Sequence, residues 1–140
     1  MKRLLYISIL LISILTGCSK APINPDVEGF WKLRQITVLS TDETTDCKDM
    51  YYSITRMVTE VRGAGAYISR TEYRDNETKL VLKDFKVRGG TADTGEDAPV
   101  EGLRNFGINS QQETVFDILH CNGKTMTLQS DYARLELEKF

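Results

Sequence analysis

The chain has 140 residues, a length suited to one domain, and its 41% hydrophobic and 27% charged composition is that of an ordinary soluble globular protein. A formal net charge of -2 argues against a nucleic-acid binder, which would usually carry a basic face.

The one clear basic bias is at the start, in "MKRLLYISILLISILTGC". Lys2 and Arg3 precede Leu4 to Leu15, an apolar stretch broken only by Ser8 and Ser13. It is too short to cross a bilayer, which takes roughly 20 residues, but it suits the apolar core of a signal peptide. Residues 1–17 are therefore expected to be a signal peptide. Leu15-Thr16-Gly17-Cys18 resembles the bacterial lipobox. That resemblance implies cleavage before Cys18 and acylation of its thiol and new amine, so that acyl chains hold the protein on a membrane. Ser19, with no acidic run behind it, resembles the pattern sorted to the outer membrane, facing the periplasm. Residues 18–28, "CSKAPINPDVE", hold two of the three prolines and predict an extended, flexible tether. The folded domain is expected over 29–140.

Within it the pattern is β. Phe30 to Leu39 is aromatic and β-branched and runs into a polar loop, "STDETTDCKD". Met50 to Val61 fits helical spacing at Met50, Ile54, Met57, Val58 and Val61, yet its Tyr, Ile, Thr and Val content favours a strand, which is the expectation adopted. "RGAGA", at 62–66, reads as a hairpin turn and lacks the ending of a phosphate loop. Ala66 to Tyr73 and Lys79 to Arg88 are strands, the second with a phase slip near Asp84 that allows Leu80, Leu82 and Phe85 to share a face. Gly89 to Pro99 predicts a long loop. Leu103 to Ile108 is a short apolar element, counted as a strand. Thr114 to Cys121 and Lys124 to Gln129 flank Asn122-Gly123, a type I′ hairpin signal. Tyr132 to Phe140 alternates, with Ala133, Leu135 and Leu137 on one face. The sum is an all-β, antiparallel, up-and-down barrel of about eight strands, a number whose interior is filled by side chains or holds one small ligand.

Gly29-Phe30-Trp31 matches the Gly-x-Trp signature that opens the first strand of lipocalins, and Trp31 is the sole tryptophan. With the lipobox, the Leu103-x-x-Phe106-Gly107-Ile108 element and the ending "MTLQSDYARLELEKF", the chain resembles the small lipocalin-like domains of Gram-negative lipoproteins. The resemblance implies a late-strand arginine packed over the tryptophan, closing one barrel end together with Gly29 and Trp31, and Arg134 is the positional candidate. It also implies a small apolar or amphipathic ligand, for which Tyr52, Tyr67 and Tyr73 are candidate contacts. The alternative is a barrel filled by its own side chains, whose exterior contacts an envelope protein.

With Cys18 assigned to acylation, Cys47 and Cys121 remain, an even number in an oxidising compartment and a candidate disulfide, with two free thiols as the alternative. Two cysteines and the lone His120 do not make a zinc site, and His120 alone does not make a catalytic constellation. The acidic loop at 93–101 lacks the spacing of a calcium loop. No cofactor, metal or enzymatic activity is expected.

Overall fold

The computed structural model describes residues 21–140. The expected signal peptide and Cys18 lie outside the described residues. The chain forms β1 (Gly29–Val38), β2 (Glu43–Asp46), β3 (Tyr51–Ile54), β4 (Val58–Gly63), β5 (Gly65–Arg74), β6 (Lys79–Arg88), β7 (Asp93–Asp97), a short helix α1 (Val100–Arg104), β8 (Glu113–Cys121), β9 (Thr125–Gln129) and β10 (Ala133–Lys139). The strands β1, β3, β4, β5, β6, β8, β9 and β10 follow one another around a ring that β10 closes by pairing with β1. The result is a closed, antiparallel, eight-stranded barrel. β2 continues the line of β3 along β1, and β7 pairs with the far end of β6.

Three bulges set which side chains enter the barrel, each by letting one residue out of the alternation. In β1 the pairing with β10 slips between Leu33 and Gln35, so Trp31, Leu33 and Ile36 all point inward. In β6, Asp84 takes φ 53° and turns out to Arg70, so Phe85 joins Leu80 and Leu82 inside. That is the phase slip legible in the sequence. In β8 the slip falls between Ile118 and His120 and leaves Leu119 on the outside.

Several expectations are corrected. Met50 to Val61 is not one strand but the hairpin β3–β4, because Thr55, Arg56 and Met57 turn the chain. The polar loops after β1 and β6 each contain a fully exposed strand, β2 and β7, made by hydrogen bonds to a neighbour rather than by burial. Leu103 to Ile108 is not a strand: its first residues close α1, and the turn after it ends at Gly107, where φ is 78° and a Cβ would run into Leu135. The Asn122-Gly123 hairpin forms, but only Gly123 has positive φ, so the turn is not type I′. Instead the Asn122 side chain accepts from the backbone N–H groups of Lys124 and Thr125.

The core is the barrel interior. Trp31, Leu33, Tyr52, Val61, Leu80, Leu82, Phe85, Phe116, Leu128 and Leu135 are each fully buried there. Outside, Val81 is also fully buried. Its cross-strand neighbours are Glu72 and Val115, and ion pairs of Glu72 with Arg74 and Lys83, and of Arg74 with Glu113, span the same strands. Long charged side chains cover apolar surface in this way while their heads stay wet.

Candidate functional site

A barrel that carries a ligand needs an open end, so the ends decide what this one can hold. At the end where β1 begins, residues 24–28 are not an extended tether but a turn docked on the barrel. Asn24 and Glu28 bind each other reciprocally, the Asn24 N–H donating to the Glu28 carboxylate at 2.7 Å and the Glu28 N–H to the Asn24 carbonyl at 2.9 Å. The turn drops Val27 into the core and aims its carbonyl at Trp31, whose Nε1 donates to it at 2.7 Å.

The cation over Trp31 is Lys139, not Arg134. Lys139 pairs with Trp31 across β1 and β10, and its Nζ stands 4.6 Å from the ring centroid while donating to the Glu28 carbonyl at 3.0 Å. Gly29, with φ 147°, leaves the space the lysine needs, since a Cβ there would land on the ammonium group. Arg134 faces out, paired with Thr37 and Gln129 and 3.8 Å from Glu136. The alternation that puts Ala133, Leu135 and Leu137 inward reaches Lys139 when carried one step further, and that was the signal in the sequence.

The opposite end is closed by α1 and the turn after it. Leu103, Phe106 and Ile108 are fully buried. Phe106 packs edge-on between Tyr52 and Tyr67, at centroid distances of 6.4 and 6.1 Å, and its carbonyl accepts the Tyr52 hydroxyl at 2.5 Å. The Tyr67 hydroxyl lies against Gly102. Two of the three tyrosines offered as ligand contacts are therefore core residues that hold the plug. Burial pushes the Tyr52 phenol up, with the nearby Cys47 adding to the effect. Tyr73 stands near the other end, where burial and then the Glu28 carboxylate raise its phenol well above the ordinary range.

Cys47 and Cys121 are not joined. Cys47 lies between β2 and β3 near Arg104 and Asn105, whereas the Cys121 thiol donates to the Asp26 carbonyl at 3.1 Å by the N-terminal turn. They sit toward opposite ends of the barrel, beyond the reach of a disulfide. Burial, then Asp46, raises the Cys47 thiol.

Several clefts open to solvent. One of about 410 Å³ is lined by Lys32, Arg34, Gln35, Asp46, Cys47 and Lys48. Another of about 270 Å³ lies at the α1 end, where Ile36, Val38 and Met50 meet Arg104. Both are floored by the strand break around Cys47 to Met50, at the end of the polar stretch "STDETTDCKD". His120 is exposed, and its Nε2 lies 3.1 Å from the Thr125 hydroxyl, itself held by Asn122, so it belongs to the hairpin turn. Asp97 is tied to Lys86 and Gln111, and the Asp93 carboxylate accepts from the Gly95 N–H. Among the described residues no group of His, Cys, Asp or Glu is arranged to hold a metal.

A small antiparallel barrel with a tryptophan plug at the opening of its first strand defines a protein of the lipocalin type. The chain belongs to the family of lipocalin-like domains, whose model matches residues 13–140. Among solved structures it is similar to a lipocalin-like protein from Bacteroides uniformis, with 11% identity and a TM-score of 0.62 over 82% of this chain and 99% of that one. It is also similar to an uncharacterized protein from Bacteroides eggerthii, with 12% identity and a TM-score of 0.60 over 82% and 100% of the two chains. At such identities the likeness is one of fold. No curated protein matches the chain.

Proposed function

We propose that this is a non-enzymatic lipoprotein of the cell envelope, held on the outer membrane through Cys18 and facing the periplasm, that works through its exterior. The lipocalin-like barrel then serves as a rigid scaffold for contact with an envelope protein rather than as a carrier. The observation that carries this reading is the interior. Trp31 fills one end, Phe106 the other, and the fully buried side chains between them occupy the space a ligand would need. Eight strands give an interior just wide enough for side chains to fill. The lipobox and the apolar run before it support the anchor.

Trp31, at the floor of the interior, is a built-in reporter. Titrating the full chain with a fluorescent fatty acid is expected to leave Trp31 emission unchanged. Saturable one-to-one quenching would overturn the scaffold reading. For the anchor, metabolic labelling with an alkyne fatty acid is expected to mark the wild-type chain and not Cys18→Ala, and a Cys18→Ala variant that stays in the membrane fraction would contradict it.

A further inference from the structure

The large exposed hydrophobic residues are not spread evenly over the barrel. Among the described residues they are Ile23, Phe30, Leu39, Met57, Val58, Leu119 and Phe140. All but Leu39 lie toward one end, the base at which β1 starts, β10 finishes and the β3–β4 and β8–β9 turns fall. At that base Phe30 stacks on Tyr51 at 5.3 Å, and Phe140, 76% exposed, packs edge-on to both at 5.3 and 5.7 Å. Met57, 64% exposed, stands in the β3–β4 turn beside the start of β1. Arg56 and Lys124 are exposed at the same end, the first donating to the Ala21 carbonyl and the second bonded through its own carbonyl to the Lys139 N–H. Exposed acids occur at both ends: Asp42, Glu43, Asp93, Glu96, Glu101 and Asp131 at the opposite one, where Arg62 and Arg104 are also exposed, and Asp26, Asp75, Glu77 and Glu138 at the base, so it is the apolar residues that distinguish the two.

We propose that this base rests on the phospholipid surface, with Phe30, Tyr51, Met57 and Phe140 at the level of the headgroups and the α1 end pointing away. The inference rests on acylation at Cys18 and deepens it. The docked turn begins at Asn24, so only five residues lie between it and Cys18 and the lead is six residue steps long. Even fully extended these steps span roughly 20 Å, and this short lead holds the base, not the α1 end, next to the bilayer. Aromatic rings suit the interface because they pair an apolar body with tolerance of a wet edge, and Arg56 and Lys124 supply charges complementary to lipid phosphates. The acidic β5–β6 turn at Asp75 to Glu77 interrupts the rim, so the barrel leans toward its β1–β3 side.

The test uses the full acylated chain in vesicles of phosphatidylethanolamine and phosphatidylglycerol. A benzophenone-bearing phenylalanine replaces Phe140, Met57 or Leu39, one position at a time. After irradiation, strong lipid adducts are expected from positions 140 and 57 and background alone from position 39. Equal lipid labelling from all three, or adducts from positions 140 and 57 to protein alone in native membranes, would overturn the orientation. Mass spectrometry of the N-terminal peptide in the same samples separates the two claims. An acylated Cys18 with no lipid adducts at the base refutes the orientation and leaves the anchor standing, whereas an unacylated Cys18 refutes both.

Discussion

Replacing Phe106 with alanine removes the centre of the plug. The ring is fully buried, flanked edge-on by Tyr52 and Tyr67, and its backbone carbonyl holds the Tyr52 hydroxyl. The site has little freedom to collapse, because Gly107 is fixed at φ 78° against Leu135 and Tyr67 is pressed on Gly102. Truncation of a core phenylalanine under such conditions costs about 3–5 kcal/mol, transfer and cavity terms together. At about 4 °C per kcal/mol for a domain of this size, the melting temperature should fall by roughly 12–20 °C. Calorimetry and urea unfolding of Phe106→Ala beside wild type would measure it. The variant should also gain binding of a small apolar probe such as benzene, since an apolar void left by truncation stays dry and accepts one. A loss below about 1 kcal/mol, or equal benzene binding by wild type, would refute a side-chain-filled barrel.

Lys139→Met should lower stability by about 0.5–2 kcal/mol through the lost cation–π contact, besides leaving the Glu28 carbonyl without its donor, whereas Arg134→Ala should change urea unfolding by less than about 0.5 kcal/mol. Thiol titration of the unreduced, denatured chain should find both Cys47 and Cys121 reactive, and an unreactive pair would mean a disulfide. Stability should fall as pH rises above 10, the ordinary tyrosine value. There the unfolded phenols of Tyr52 and Tyr73 ionise while the folded state, with both raised, keeps its protons, so the contribution is complete below that pH and lost above it. Tyr52→Phe should flatten this alkaline slope while costing about 1–3 kcal/mol at neutral pH, because the Phe106 carbonyl is left unpaired.

The strands that read most clearly, β5, β6, β8 and β10, owe their form to alternation, and alternation is a local property of the sequence. Asp84 shows that even a bulge is legible when the apolar phase visibly slips. The division of residues 51–63 into two strands was hidden because Thr55, Arg56 and Met57 carry no glycine or proline to announce a turn. The Thr55 hydroxyl does that work by donating to the Val58 carbonyl at 2.6 Å. α1 was hidden by its length: five residues give no helical period, and Leu103, Phe106 and Ile108 are apolar because they plug a barrel, a tertiary demand. β2 and β7 carry no apolar face to read. The expectation of Arg134 rests on the family's usual residue type, an arginine. The register of β10 against β1 overrules it, because the position opposite Trp31 is set by strand pairing. The docked turn at 24–28 was masked by Pro25, whose fixed φ also suits the turn that lets Asn24 and Glu28 meet.

Native mass spectrometry of the full chain purified from membranes tests the filled barrel most directly. A filled barrel should give a single species whose mass is that of the processed chain with its acyl groups. A further stoichiometric small molecule, retained by the folded chain and released on unfolding, would contradict it.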